Sequence, residues 1–235
     1  MLRVGTAGWS LPAKPQSEGT HLYHYSRELS CTEINSSFSR SHRAGTWARW
    51  AAETPPDFRF SIKAPKSITH TAKLRDTEAL VKTFVEQIEP IRAKAGPILF
   101  QLPPSLGFDP ALAETFLATV RRHYQAEVAL EPRHAEWFTT AAGALLSSYS
   151  IARVAADPPK GGPESSKPGG DLSLLYYRLH GSPRTYYSNY EEHFLATIAA
   201  AVQAHENAWV IFDNTTLSHA YPNALLLQKL LKKPE

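Results

Sequence analysis

Eight short apolar stretches divide this chain, and each ends in a cluster of polar or charged residues. The clusters begin at Gly5, Glu33, Lys63, Gln101, Glu131, Asp157, Arg178 and Asp213. Helical patterns fill most of the gaps, as at residues 76–94, where apolar side chains recur every three to four positions. Strands that alternate with helices form a parallel sheet, and eight of them predict a closed (β/α)8 barrel. The active site of such a barrel lies at the carboxyl ends of its strands, where these clusters fall.

The element pattern covers almost the whole chain. The predicted strands are residues 2–6, 31–38, 59–64, 98–102, 127–131, 151–156, 172–179 and 209–213. The predicted helices are residues 21–29, 44–53, 76–94, 134–148, 191–205 and 223–231, with one more that begins at Pro110 behind an Asp109 N-cap. No domain boundary interrupts this order, so residues 1–235 are expected to form a single barrel domain.

The sixth crossover lacks a helical pattern. Residues 158–170 are built mainly of Pro, Gly, Ser and Lys and carry no apolar stripe. The barrel is therefore predicted to lack a regular sixth helix. The segment follows the sixth strand at the predicted mouth, so it is either a mobile lid over the site or a plain linker.

Composition restricts the kind of protein. A chain of 235 residues, 43% hydrophobic and 20% charged, is long enough for one large α/β barrel. One cysteine, Cys31, rules out an internal disulfide and suits a reducing compartment. The sequence shows no signal segment and no apolar stretch of membrane-spanning length, so a cytoplasmic location without membrane contact is predicted. The net charge of +3 is mildly basic and gives only weak support for nucleic acid as a partner, while a small anionic substrate is expected from the basic residues at the strand ends.

Polar pairs at the strand ends provide the candidate site. Side chains two apart in a strand share a face, which pairs Glu33 with Asn35, Ser61 with Lys63, Glu131 with Arg133, and Arg178 with His180. Such pairs are costly at the end of an apolar strand unless they are paired or line a solvated pocket. Their side chains are therefore expected to meet around the barrel axis.

Each charged candidate has a chemical and a structural interpretation. The predicted catalytic residues are Glu33, Glu131, His180 and Asp213. His180 is suited to proton transfer, and Asp213 to orienting an imidazole. Lys63, Arg133 and Arg178 are predicted to hold an anion. Structurally, Glu33 would instead form an ion pair with Lys63 or Arg178 that holds the barrel together.

The remaining candidates complete the predicted binding surface. They are Trp9, Asn35, His70, Gln101, His134, Tyr190 and Asn214. Trp9 and Tyr190 are candidates for stacking on a sugar or base, whereas Trp47, Trp50 and Trp209 are assigned to the core. No cofactor is expected, because no phosphate loop with its lysine occurs. No metal ligand is assigned either, since each acid has an arginine or lysine near it and no His-x-His spacing appears.

Several of these segments resemble the YecE-like family, also called domain of unknown function 72. The matching motifs are Gly5-Thr6-Ala7-Gly8-Trp9, Thr32-Glu33-Ile34-Asn35-Ser36-Ser37-Phe38, Phe60-Ser61-Ile62-Lys63-Ala64-Pro65, Phe100-Gln101-Leu102-Pro103, Tyr177-Arg178-Leu179-His180-Gly181 and Phe212-Asp213-Asn214. The resemblance covers almost the whole chain and implies a TIM barrel, but no reaction. One departure is Pro132, where the family usually has phenylalanine.

Taken with the strand-end residues, the expected function is that of a metal-independent hydrolase or lyase. Its substrate would be a small anion that contains a phosphate or a sugar. The alternative is a non-catalytic module that binds nucleic acid or a metabolite at the same mouth. A metal-dependent nuclease or isomerase is the third hypothesis.

Overall fold

Ten strands form one continuous sheet in the computed structural model of the protein, which describes residues 1–13, 15 and 17–232. The strands are β1 Leu2–Ala7, β2 Cys31–Ile34, β3 Arg59–Lys63, β4 Ala95–Gln101, β5 Val128–Glu131, β6 Ala152–Arg153, β7 Ala155–Asp157, β8 Gly169–Gly170, β9 Leu175–Leu179 and β10 Ala208–Phe212. They lie in the order β7-β9-β10-β1-β2-β3-β4-β5-β6-β8, and every pairing is parallel except that of β6 with β8.

The sheet closes into a barrel through the sixth predicted strand, which the structure divides in two. β6 pairs with β5, and β7 pairs with β9. Val154 alone separates β6 from β7, and its N–H donates to the Leu130 carbonyl at 2.9 Å. One stretch of chain therefore joins both edges of the sheet, and the predicted TIM barrel of eight parallel strands is confirmed.

In the described part of the chain seven α-helices surround the barrel, and most of their bounds agree with the predicted ones. They are α1 His21–Glu28, α2 Ala44–Glu53, α3 Glu78–Gln87, α4 Pro110–His123, α5 Thr140–Ser148, α6 Glu192–Gln203 and α7 Ala220–Lys232. Asp109 caps α4 as predicted, because its side chain accepts from the Ala111 and Leu112 N–H groups. Between β7 and β9, where every residue is described, the one helical element is a 3-10 turn at Pro163–Ser166, so the absence of a regular sixth helix is confirmed.

Some predicted bounds are wrong for identifiable reasons. The helix predicted over residues 76–94 ends at Gln87, because Pro90 cannot continue it, and a 3-10 turn follows at Glu89–Lys94. Leu80, assigned to its apolar stripe, is 37% exposed. The second strand stops at Ile34 and not at residue 38, because Asn35 turns into the αR region and starts a 3-10 turn.

The barrel interior has an apolar lower part and a polar upper part. Near the amino ends of the strands a separate apolar cluster fills the barrel with Cys31, Leu99, Ala129, Ala152, Val154, Leu174, Tyr176, Trp209 and Ile211. Trp209 packs over Gly96, where a Cβ atom would overlap the indole. The larger core lies between the sheet and the helices and includes Trp47 and Trp50. The structure thus confirms these three tryptophans as core residues and leaves the polar side chains to the carboxyl ends.

Candidate functional site

The guanidinium of Arg178 lies at the centre of the barrel mouth and is completely buried. Its Nε and Nη2 donate to the two oxygens of Glu33 at 3.0 and 2.7 Å, which is the planar two-bond pairing that arginine forms with a carboxylate. Its Nη1 donates to Glu131 Oε2 at 2.7 Å, and its Nη2 also donates to Asp213 Oδ2 at 3.1 Å. We call these three acids the carboxylate cluster. One arginine from β9 thus joins acids from β2, from β5 and from the end of β10.

This geometry distinguishes between the two sequence-based interpretations of the charged residues. Arg178 is predicted from the sequence to hold a substrate anion, but its donors already face Glu33, Glu131 and Asp213, with His180 Nε2 a further 3.4 Å contact. The structural interpretation of Glu33, an ion pair with Arg178, matches the contacts. Arg178 therefore positions the carboxylates of the mouth, and the predicted anion contact depends on Lys63 and Arg133.

A buried tyrosine, which was not among the residues predicted from the sequence, contacts the carboxylate cluster. The hydroxyl of Tyr176 donates to Glu33 Oε2 at 2.8 Å and lies 2.7 Å from Ser61 Oγ. Burial first, and then the Glu33 carboxylate, raise the pKa of Tyr176 well above its usual range, so the hydroxyl keeps its proton. Tyr176 is two residues before Arg178 in β9, so strand alternation was the signal that places both on the inner face.

The surroundings of Glu131 and Asp213 lower the pKa values of these two acids. Burial by itself would raise the pKa of Glu131, but Arg178, His180 and Arg133 hold it well below the usual range. The same balance lowers the pKa of Asp213, where Arg178 and His180 outweigh the effect of burial. The carboxylates in turn raise the pKa of Arg178 well above its usual range, although burial opposes this. The mouth therefore contains fixed negative charges around a permanent positive one.

His180 connects two of these acids. Its Nε2 lies 3.2 Å from Glu131 Oε1 and its Nδ1 lies 3.0 Å from Asp213 Oδ2. The imidazole is 1% exposed, whereas the Asp213 side chain is 14% exposed. A hydrogen-bonded line thus runs from the buried Glu131 through the imidazole to the more accessible Asp213. This is an arrangement through which a proton can be moved between the interior and the mouth.

Lys63 differs from the other cations at the mouth because it forms no ion pair with any acid that the structure describes. Within the described part of the chain, no hydrogen bond or ion pair of its ammonium is formed, although the residue is only 8% exposed. Its Nζ lies 4.4 Å from the centre of the Phe38 ring. Burial and the nearby charge of Arg178 lower the pKa of Lys63 to about 8, and the more distant acids compensate only in part. Sequence alone predicted an ion pair with Glu33 as one role for Lys63, and the structure does not form it.

His70 and Arg133 lie on the same side of the mouth as Lys63. His70 is in a single π-helical turn, Ser67–Thr71, with its Nδ1 2.9 Å from Thr69 Oγ1. Partial burial lowers the pKa of His70, and Lys63 and Arg133 lower it further. The Arg133 side chain is 20% exposed, and its Nη2 donates to Glu131 Oε1 at 3.2 Å. We call Lys63, His70 and Arg133 the basic edge, because each faces another basic group and Arg133 alone has a carboxylate beside it.

Two further predicted residues face the mouth. Gln101 is 6% exposed and its Nε2 donates to Glu131 Oε2 at 2.7 Å, so it supports the carboxylate cluster. Asn35 follows β2, and its Oδ1 is buried without a hydrogen-bond partner among the described residues. Contact of either residue with a substrate stays a prediction.

The other predicted binding residues have structural contacts. Tyr190 is 4% exposed, stacks on Phe194 and donates to Asp157 Oδ2 at 2.7 Å. Asn214 is fully buried, and its Nδ2 donates to the Ser188 carbonyl and to Asn223 Oδ1, both at 2.9 Å. Trp9 packs edge-on against Trp50, and His134 caps the 3-10 turn Ala135–Phe138. These four residues hold the loops in place, and the structure gives Tyr190 and Asn214 no surface for a ligand.

The residues that could hold a metal ion are arranged around Arg178 instead. Glu33, Glu131, His180 and Asp213 are metal-ligating types, yet all four face the guanidinium. Among the described residues, no group of three or more His, Cys, Asp or Glu side chains is placed to bind a metal ion. The guanidinium occupies the position and supplies the charge that a cation would have there.

The segment of residues 158–170 lies beside the basic edge. Gly161 approaches the Arg133 carbonyl and the Phe138 ring so closely that a Cβ atom would lie 3.1 and 2.8 Å from them. At its far end β8 pairs with β6, and Ser165 is buried. Within the segment, Lys167 donates to Glu164 at 2.8 Å. The segment therefore reaches the mouth, and whether it moves as a lid stays a prediction.

Fold and site together define a (β/α)8-barrel protein with a polar, ion-paired mouth at the carboxyl ends of its strands. The family described as "Protein of unknown function DUF72" matches residues 3–235, and the chain belongs to that family. It is 33% identical over 107 residues to the UPF0759 protein YecE of Escherichia coli K12, a match that covers 46% of this chain and 39% of YecE. The UPF0759 protein YunF of Bacillus subtilis is 27% identical over 152 residues, and 53% of it is covered. The chain thus matches about half or less of the length of these relatives.

Solved structures share the barrel. A DUF72 family protein from Enterococcus faecalis V583 superimposes with a TM-score of 0.84 at 22% identity, covering 100% of this chain and 97% of that one. A DUF72 family protein from Thermotoga maritima MSB8 gives a TM-score of 0.81 at 26% identity, with 99% and 100% covered. SacUVDE gives a TM-score of 0.62 at 10% identity, which shows a likeness of fold alone. No helix in the described residues is long and apolar enough to cross a membrane.

Proposed function

We propose that this protein is a metal-independent hydrolase or lyase that acts on a small anionic substrate containing a phosphate or a sugar. The observation that carries the proposal is the Lys63 side chain, which is only 8% exposed at the mouth and whose ammonium forms no hydrogen bond or ion pair with the described residues. A buried charge without a counter-ion is costly, and a bound phosphate or carboxylate would remove that cost. Arg133 and His70 stand on the same side, so an anion there would meet several donors.

The roles of the other residues follow from their contacts. Arg133, with its partly exposed guanidinium, is placed to bind an anion together with Lys63. The line from Glu131 through His180 to Asp213 supplies groups for proton transfer next to that anion. Arg178 holds these acids in place and takes the position of a metal ion, which supports a reaction without one.

Phosphate binding tests the proposal. We expect isothermal titration with inorganic phosphate at pH 7 to show one site. Replacement of Lys63 or Arg133 by glutamine should weaken it by about tenfold, the loss of one charge-assisted contact. Lys66→Gln is the matched control, because Lys66 is an exposed lysine three residues along the same loop and should leave the affinity unchanged. Equal affinities for the wild type, Lys63→Gln and Lys66→Gln would refute the anion site.

A second experiment separates an enzyme from a binding module. His180→Gln keeps a polar side chain in the line from Glu131 to Asp213 but removes its proton-transfer group. If the protein is an enzyme, the variant should bind phosphate normally and lose turnover of phosphorylated sugars in a release assay. If wild type and variant both bind phosphate and neither turns over any member of such a panel, the binding module is the better description.

A further inference from the structure

We propose that Lys63 is a covalent nucleophile that forms an imine with the carbonyl carbon of an aldehyde or ketone substrate. The inference rests on the proposed function, which it narrows to a lyase acting on an anionic carbonyl compound. It gives the lysine a chemical task beyond binding, while Arg133 and His70 remain to hold the anionic group.

The surroundings of Lys63 suit this task. An amine attacks only in its neutral form, and a lysine locked in an ion pair stays charged. Lys63 has no such partner among the described residues, is 8% exposed, and lies 4.4 Å from the face of Phe38. By contrast, Lys94 of the same barrel donates to the Thr54 and Pro55 carbonyls at 2.6 and 2.8 Å, which holds it in place. Of these two lysines, only Lys63 keeps its nitrogen free for chemistry.

The protonation of Lys63 supports the same role. Burial and Arg178 lower the pKa of Lys63 to about 8 from an ordinary 10.5. At pH 7 about one Lys63 in ten is then neutral, against fewer than about one in a thousand for an ordinary lysine. Lys63 is thus close to the range in which a lysine acts as a nucleophile near neutral pH.

The step is balanced without any further reagent. The Lys63 nitrogen lone pair forms a bond to the carbonyl carbon, and the carbonyl π pair moves to oxygen, which takes a proton from solvent. The nitrogen releases a proton, the hydroxyl group leaves as water with a second proton from solvent, and the carbon–nitrogen double bond forms. The products are a protonated imine and one water molecule. The positive nitrogen then accepts electrons from a breaking bond next to the imine carbon, which is the chemistry of a lyase.

Reductive trapping tests the inference on the intact protein. The wild type is treated at pH 7 with limiting glyceraldehyde 3-phosphate or glyceraldehyde and sodium cyanoborohydride, and labelled lysines are located by peptide mass spectrometry. We expect Lys63 to be labelled about tenfold more than the exposed Lys66 in the same loop. Lys63→Arg keeps the cation but forms no stable imine, so it should lose this preferred label. Circular dichroism checks that the variant is folded. The comparison of Lys63 with Lys66 is made within the wild-type protein and does not depend on the variant.

The outcomes separate the inference from the proposed function. Labelling of Lys63 that does not exceed that of Lys66 with either aldehyde overturns the imine, and phosphate titration of the same sample shows whether the anion site survives. Preferred labelling of Lys63 by both aldehydes to the same extent supports the imine and counts against the anion site. A preference for the phosphorylated aldehyde supports both.

Discussion

Replacing Arg178 by methionine should destabilise the protein more than any single surface substitution. The guanidinium is completely buried and donates to Glu33, Glu131 and Asp213, so its removal leaves three acids facing one another. Methionine fills a similar volume but supplies no charge. Removing one partner of a buried ion pair costs about 3–5 kcal/mol, and three acids lose the same cation here while they keep their other hydrogen bonds, so we expect about 4 kcal/mol.

Urea unfolding followed by circular dichroism measures this loss, with Arg122→Met as the matched control. Arg122 donates to Glu78 at 2.6 Å, but its side chain is 63% exposed. Solvent screens an exposed pair strongly, so the control should lie close to the wild type. A loss of less than about 1 kcal/mol in Arg178→Met would refute the view that this arginine neutralises the barrel mouth.

The difference in stability between Arg178→Met and the wild type should change with pH in a direction that a simple packing defect would not produce. In the wild type the pKa values of Glu131 and Asp213 are lowered, so their contribution to stability is present above the ordinary values of 4.5 and 3.8 and is lost as the pH falls through the lowered ones. Without Arg178, burial dominates and raises both pKa values. The acids then take up protons more readily in the folded state, and acidification from pH 7 to pH 5 should narrow the gap between variant and wild type. A gap of constant size would contradict this reasoning.

Three other predictions concern packing and access. Gly5→Ala should lower the free energy of unfolding by about 3 kcal/mol, measured by thermal unfolding, because the new Cβ would overlap the Cys31 carbonyl oxygen. Gly45→Ala, at an open surface position of α2, should raise it by up to about 1 kcal/mol. Similar effects of the two substitutions would contradict the tight contact between β1 and β2. The Cys31 thiol is fully buried and burial raises its pKa, so Ellman's reagent should react with it only after denaturation, and rapid labelling of the native protein would show otherwise. Residues 158–170 should be cut by trypsin in the free protein and protected by phosphate if they form a lid; unchanged cleavage would identify a plain linker.

The fold could be predicted from the sequence because strands and helices are recognised by patterns among residues that are close together in the chain. Apolar stretches that end in polar residues predicted the eight strand positions of the barrel and the end that carries the candidate site, but not the division of the sixth strand or the short β8. Bounds failed where a single residue decided them, as Pro90 did for α3 and Asn35 for β2. These are choices of backbone conformation that an average over several residues does not resolve.

The candidate site could be predicted from the sequence only in part, and the reason differs from the one that limited the helix and strand bounds. Strand alternation tells which side chains share the inner face, but not which of them meet across the barrel, since that depends on strand tilt and stagger. Arg178 is paired with Glu33 while Lys63 is not, although both basic residues stand at strand ends. Asn214 follows a strand-end motif and Tyr190 lies in the loop before α6, and the packing of their loops buries both side chains.

The carboxylate cluster also constrains the order in which the chain can reach its native state. Glu33 and Arg178 are 145 positions apart, and Glu131 precedes Arg178 by 47. During synthesis the strands carrying both acids emerge long before their common counter-ion. Because unpaired carboxylates resist removal from water, the centre of the barrel must stay hydrated until β9 arrives. The mouth is complete only once β9 supplies Arg178 and the end of β10 supplies Asp213, so no fragment of this chain that ends before β9 can possess the site.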